Sequence, residues 1–176
     1  MNDTKLRALL VPGLGKEVTR QAANAVIKDE RLFLELMQII EQGKRIPAMK
    51  AAWILSTATD LDPTFATRHS RKILQLLKEA TVAGVQRELL KALTRVQKLP
   101  DDIHGDLIGL CFNLLSNADS AVAVKYYSIY VIEDAIKIYP ELKKELIDTL
   151  EPQLDLYNEA WHRYNKRRIV KLKMEK

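Results

Sequence analysis

Three histidines, one cysteine and a few paired acids are the residues of this chain that could do chemistry. Their spacing keeps them apart. His69, His104 and His162 are never three or four residues from one another, so no two share a helix face at ligand spacing. Cys111 is the only thiol, and no ligand set of a zinc site is visible. Acids pair at Asp60/Asp62, Asp101/Asp102 and Glu133/Asp134. The first two pairs flank Pro63 and Pro100, where aspartate caps helices and makes turns. General acid–base work also needs a pocket and a companion group, and no motif supplies one. Gly13-Leu14-Gly15 lacks the lysine and hydroxyl that complete a phosphate-cradling loop. Cys111 shares an apolar helical stripe with Leu110 and Leu114, the setting of an inert buried thiol. The histidines read as packing or surface residues. No catalytic, cofactor-binding or metal-binding residue is predicted.

The aromatic and basic residues are distributed less evenly. All six tyrosines, Tyr126, Tyr127, Tyr130, Tyr139, Tyr157 and Tyr164, lie in the last third, with Trp161. Tyr157, Trp161 and Tyr164 fall at i, i+4 and i+7, on one helix face. That stripe either docks a terminal helix or forms a recognition surface. The net charge of +5 is equally localised. Residues 163–176 hold Arg163, Lys166, Arg167, Arg168, Lys171, Lys173 and Lys176 against Glu175 alone, which leaves the remainder at −1. A basic tail of this kind complements a helix C-terminus and keeps an end unit soluble. It also offers a contact to an acidic protein, a nucleic acid or an anionic lipid.

These residues sit in a chain of 176 residues, the length of one domain able to bury its own core. Apolar content of 47% and charged content of 29% are those of a globular protein. No apolar run is long enough to span a membrane. The first fifteen residues lack the apolar core and cleavage site of a signal peptide. A lone cysteine fits a reducing compartment, and the expected location is the cytoplasm.

Apolar residues recur at helical spacing throughout, without useful β-alternation. A motif repeats about every 38 residues. Its cations are Lys50, Arg87 and Lys125, and its bends are Leu61-Asp62-Pro63, Leu99-Pro100-Asp101 and Ile138-Tyr139-Pro140. Each bend leads to a leucine-rich run such as Ile73-Leu74-Gln75-Leu76-Leu77. Such a period means stacked helical hairpins. After a lead-in at 1–15, units are expected at 16–43, 45–79, 82–117 and 119–155, then a capping helix and basic tail at 157–176. Asp29, one of Asp101 and Asp102, and the pair Asp119-Ser120 are the expected helix caps. Leu76 and Leu114 are expected to face partner helices.

The runs Arg45-Ile46-Pro47-Ala48-Met49-Lys50-Ala51-Ala52-Trp53-Ile54-Leu55 and Val85-Gln86-Arg87-Glu88-Leu89-Leu90 resemble HEAT-like, armadillo-type repeats. Ala123-Val124-Lys125-Tyr126-Tyr127-Ser128 continues the pattern. The resemblance spans roughly residues 16–155 and is closest to small bacterial HEAT-repeat proteins. It implies an all-α fold: a right-handed α-α superhelix of about four hairpins. In HEAT-like stacks the second helix of each pair lines the concave face. The resemblance therefore points to Arg68, Arg71, Lys72, Gln75, Asp106, Asn113, Lys144 and Asp148 as a mixed partner-binding surface. The expected function is a non-catalytic scaffold for a protein or peptide, with nucleic acid a further partner through the basic tail. The rival is a DNA-binding or repair protein related to the HEAT-like alkylpurine DNA glycosylases. That chemistry needs tryptophans and a carboxylate, such as Asp106 or Asp148, converging on the concave face. Here no second helix carries a tryptophan.

Overall fold

The computed structural model describes residues 15–96 and 99–174. The expected turn around Leu6, Leu9 and Leu10 and the end of the basic tail, including Lys176, lie outside the described residues. Helices follow in the order α1 (Lys16–Lys28), α2 (Glu30–Glu41), α3 (Arg45–Leu61), α4 (Pro63–Glu79), α5 (Ala83–Leu93), α6 (Asp101–Ser116), α7 (Val122–Ile136), α8 (Leu142–Leu150) and α9 (Glu159–Met174). A short 3-10 turn, Glu151–Gln153, ends α8, where Pro152 interrupts regular helix. No strand occurs among the described residues. The chain is all-α.

Local chemistry sets the joints. Asp29 caps α2 by accepting from the Arg31 amide at 2.9 Å. Asp62 does the same for α4, accepting from the Thr64 amide at 2.9 Å, with Pro63 in the first turn. Gly43 ends the second helix in the left-handed region at φ 66°, where a side chain would be strained. Two expected caps differ. Pro100 is the N-cap of α6, so Asp101 and Asp102 fall inside its first turn and favour it through the helix dipole. Ala121, not Asp119-Ser120, precedes α7, because Asn117 turns its side-chain oxygen to the Asp119 amide at 2.9 Å and forms the bend itself.

The helices make two layers. The first helices α1, α3, α5 and α7 pack directly against one another, while α2, α4, α6 and α8 form a second, more openly spaced row. Small side chains explain the difference. Ala48, Ala51, Ala52 and Ala58 are fully buried in α3, as are Ala92 in α5 and Ala135 in α7, so backbones approach closely. A Cβ on Gly84 of α5 would lie 2.9 Å from the Met49 side chain of α3. In addition, α2, α4 and α6 each pack more closely on the helix that follows than on the one before. One continuous core runs between the layers from Ala22 to Leu172. Leu76 is buried at 2% exposure, but Leu114 is only partly covered, and its neighbour Leu115 takes the fully buried place.

Candidate functional site

The row expected to bind a partner lies on the outward faces of α4, α6 and α8. Arg68, Arg71, Gln75, Asp106, Asn113, Lys144 and Asp148 are exposed there, and Lys72 is half-buried. Much of its charge is engaged between neighbouring helices. Arg71 donates to Asp102 of α6 at 2.6 Å, Lys72 to Glu41 of α2 at 2.5 Å, and Lys78 to Asp106 of α6 at 2.6 Å. The Arg71 hydrogen bond holds the Asp102 carboxyl below its usual range. Arg68 lies 3.6 Å from Asp62. Exposed pairs of this kind add little stability individually, but they rung together the openly spaced second row. Asn113, Lys144 and Asp148 make no side-chain hydrogen bond or ion pair among the described residues.

The opposite face belongs to the first helices. Trp53 is half-buried on α3, Arg87 is exposed on α5, and Arg95 is exposed in the turn after it. Carboxylates neutralise the cations of this stretch. Asp60 accepts from Lys91 and Arg95, with contacts of 2.8 and 2.6 Å. Partial burial raises its pKa, but the two cations outweigh that effect and leave the carboxyl below its usual range. Glu88 is buried between α3 and α5, where it accepts from the Ser56 hydroxyl at 2.5 Å and from Arg87 at 2.7 Å. A buried carboxylate needs such partners, and here they tie two hairpins together.

Toward the C-terminus the same face turns aromatic. Tyr130 of α7 is 48% exposed and Tyr164 of α9 is 55% exposed. The Arg168 guanidinium lies 5.6 Å from the Tyr130 ring centroid, and Arg163 lies 5.8 Å from that of Tyr164. Arg168 also donates to Glu133 at 2.6 Å and to Asn165 at 2.8 Å. Tyr126 lies between these groups. Burial raises its hydroxyl pKa, against the pull of Arg168 and with the push of Tyr130 and Tyr164.

The predicted aromatic stripe divides between the two roles. Trp161 has no exposure, stacks edge-on with Tyr126 and Tyr157 at 5.2 and 4.9 Å, and donates its indole N–H to the Gln153 carbonyl at 2.9 Å. It docks α9, as does partly buried Tyr157. Tyr164 stays at the surface. The basic tail divides as well. Arg168 and Lys173 are paired, the latter to Glu151 at 2.6 Å, while Arg163, Lys166 and Arg167 are exposed and make no ion pair among the described residues. Lys171 lines a groove of about 600 Å³ between α7, α8 and α9, together with Tyr130, Ile136, Pro140, Lys143 and Leu172. Glu133, Asp134 and Lys137 also line it.

Among the described residues no other group gathers into a reactive constellation. His69 packs its ring on Phe33 and Phe65, with centroids at 3.9 and 4.5 Å, and burial lowers its pKa. His104 rests on Tyr139, and His162 contacts Asp155 at 2.8 Å. Burial pushes the Cys111 thiol up to about 12, far from thiolate chemistry. Among the described residues no three His, Cys, Asp or Glu side chains converge to hold a metal, and no helix is long and apolar enough to cross a membrane. Asp106 and Asp148 sit on different helices at exposed positions.

Sequence reasoning missed two features. It read Lys125 only as a repeating cation of the motif, yet that side chain has no exposure. It also left Tyr130 without a role. The signal was available at 126–130, where Tyr126, Tyr127 and Tyr130 crowd one helix. Which of them meets solvent depends on where α9 packs.

No curated protein and no solved structure matches the chain. A family model described as a HEAT repeat domain matches residues 6–172, which takes in the first eight described helices whole and all but the last two residues of α9, and the chain therefore belongs to the HEAT repeat domain family.

Proposed function

We propose that this protein is a non-catalytic interaction module of the cytoplasm that takes a protein or peptide partner on its helical-repeat surface. HEAT repeats commonly serve as interaction scaffolds. The observation that carries the reading is the exposure of Tyr130 and Tyr164 beside arginine side chains on the first-helix face. Tyrosine and arginine dominate the energetics of protein interfaces, since each combines a large contact area with directed hydrogen bonds.

The choice of face rests on packing. A stack bends toward the layer whose helices lie closer together, and here that layer is α1, α3, α5 and α7. Concave repeat surfaces are the usual docking sites of solenoids. The second-helix row of Arg68, Arg71, Lys72, Gln75, Asp106, Asn113, Lys144 and Asp148 is the competing surface. Its central charges already pair with one another, which leaves them less to offer a partner. A DNA-repair role has weaker support. Trp161 is enclosed and Trp53 half-buried, so no aromatic pair stands ready to hold an extruded base.

Affinity capture from the native cell, read by mass spectrometry, tests both points. The wild-type chain is compared with Tyr130→Ala/Tyr164→Ala and with Asn113→Ala/Lys144→Glu. A partner retained by the second variant and lost by the first is the expected result. A partner lost only by the second variant moves the site to the outer row. Excision of alkylated bases by the purified protein overturns the non-catalytic reading.

A further inference from the structure

We propose that the face formed by Tyr130 of α7 with Tyr164, Arg163 and Arg167 of α9 binds an acidic segment of a partner protein. This deepens the interaction-module reading and rests on it. Three observations converge on that chemistry.

The first is the distribution of unneutralised charge. Along α5 and the turn after it each cation has its carboxylate: Arg87 has Glu88, and Lys91 and Arg95 share Asp60. On α9, Arg163, Lys166 and Arg167 have none among the described residues. Arg163 and Arg167 are four residues apart, so they stand on one face a single turn apart. Carboxylates at similar spacing on an incoming peptide would meet both guanidinium groups, with bidentate hydrogen bonds available to each.

The second is preorganisation. The Arg163 guanidinium rests 5.8 Å from the Tyr164 ring, which limits the rotamers it must give up on binding. Tyr130 packs against the Arg168 guanidinium, itself held by Glu133 and Asn165. Both exposed rings present an apolar surface with a hydroxyl at its edge. The groove beside Tyr130, floored by Ile136, Pro140 and Leu172, offers an apolar side chain of the same peptide a place to lie.

The third observation separates a peptide from a nucleic acid. A polyphosphate needs cations in a stripe across the fold. A strand running along this face would leave α9 and meet the carboxylates of Glu133, Asp134 and Asp60. Arg163, Lys166 and Arg167 stand together on one helix, which matches a short run of carboxylates better than a long row of phosphates.

A display library of random peptides, selected on the full chain, tests the inference. Enriched peptides should cluster Asp and Glu beside an aliphatic or aromatic residue. Fluorescence anisotropy with a labelled enriched peptide should show binding that weakens with salt. The Arg163→Glu/Arg167→Glu variant should bind about tenfold more weakly or worse, the loss of one well-made charged contact. Lys144→Glu, on the second-helix row, should bind as wild type does, with circular dichroism melts confirming that both variants fold. Four results overturn the inference: no enrichment, enriched peptides without an acid excess, equal binding by Arg163→Glu/Arg167→Glu, or tighter binding of labelled single-stranded DNA to the same face. A cellular partner captured equally by wild type and Arg163→Glu/Arg167→Glu refutes the acidic-segment inference and leaves the module reading standing. Absence of any captured partner counts against the module reading itself.

Discussion

Lys125 holds its ammonium 2.5 Å from the carbonyl oxygen of Leu115, at a site with no solvent exposure. The same nitrogen reaches the Asn117 carbonyl at 2.8 Å and Gln153 Oε1 at 3.2 Å, with the Tyr157 ring 5.4 Å away. One cation thus satisfies the frayed carbonyls at the end of α6 and joins them to the turn before α9. No carboxylate is among these partners. Neutral acceptors aimed by the fold replace the water that a buried ammonium loses.

Lys125→Met keeps the apolar stem and removes these bonds. The carbonyls of Leu115 and Asn117 then lose a charged donor, which costs about 2 kcal/mol or more. Urea unfolding should show this as a lower midpoint with an unchanged slope. A midpoint equal to wild type would mean that the carbonyls find other donors.

Leu76→Ala should destabilise by about 2–5 kcal/mol, as truncation of an enclosed leucine does. Leu115→Ala should fall in the same range, and Leu114→Ala clearly below it, since Leu114 is only partly covered. Paired denaturant melts order the three. A Leu114→Ala cost equal to that of Leu115→Ala would contradict the placement of α6.

Stability should depend on His69 between about pH 7 and pH 5. Burial against Phe33 and Phe65 favours the neutral ring and lowers its pKa from 6.5, with Glu30 opposing and Arg68 reinforcing the shift. Between the folded and unfolded pKa values the unfolded chain binds the extra proton, so stability rises with pH. The contribution is present in full above the unfolded value and is lost as pH falls below it. Asp60, Asp62 and Asp102, with lowered pKa values, add their own loss only as pH approaches and passes below the ordinary aspartate range. A His69→Phe variant should flatten the melting temperature between pH 7 and pH 5. An unchanged slope would place the titration elsewhere.

Removing residues 165–176 should destabilise the whole stack rather than trim a tail. Asn165, Ile169 and Leu172 are buried, and Arg168 bonds to Glu133 of α7. Losing two enclosed aliphatic side chains alone is worth several kcal/mol, roughly 2–5 for each. Thermal melts should show a marked drop, whereas Lys166→Glu/Arg167→Glu, with both side chains exposed, should melt near wild type. A truncated chain as stable as the full one would show that α9 contributes no core.

Much of this architecture was legible in the residues because it depends on neighbours in sequence. Apolar periodicity marks helices, Asp62-Pro63 marks a cap and a first turn, and Gly43 marks a stop, all through contacts within a turn or two. The site was less legible. Arg71 and Asp102 lie 31 residues apart in the chain and 2.6 Å apart in space, so a charge that reads as free proves engaged. Spacing puts Tyr157, Trp161 and Tyr164 on one helical face, yet α9 starts at Glu159 and leaves Tyr157 in the bend before it; Tyr126 of α7 and the Gln153 carbonyl enclose Trp161, and Tyr164 stays exposed.

By itself, then, the sequence determined an all-α chain of helical hairpins with its positive charge gathered at one end. Periodicity, capping and composition are local or additive quantities, and they survive without knowledge of any partner helix. Only the tertiary structure decided which helices pack forward, which layer is the tighter one, and which cations lack a carboxylate. Those outcomes arise from long-range contacts such as Gly84 against Met49, Ser56 with Glu88, and Lys125 with Leu115. Each depends on how closely two backbones approach, and that distance is fixed by the sizes of side chains tens of residues apart meeting in a single core.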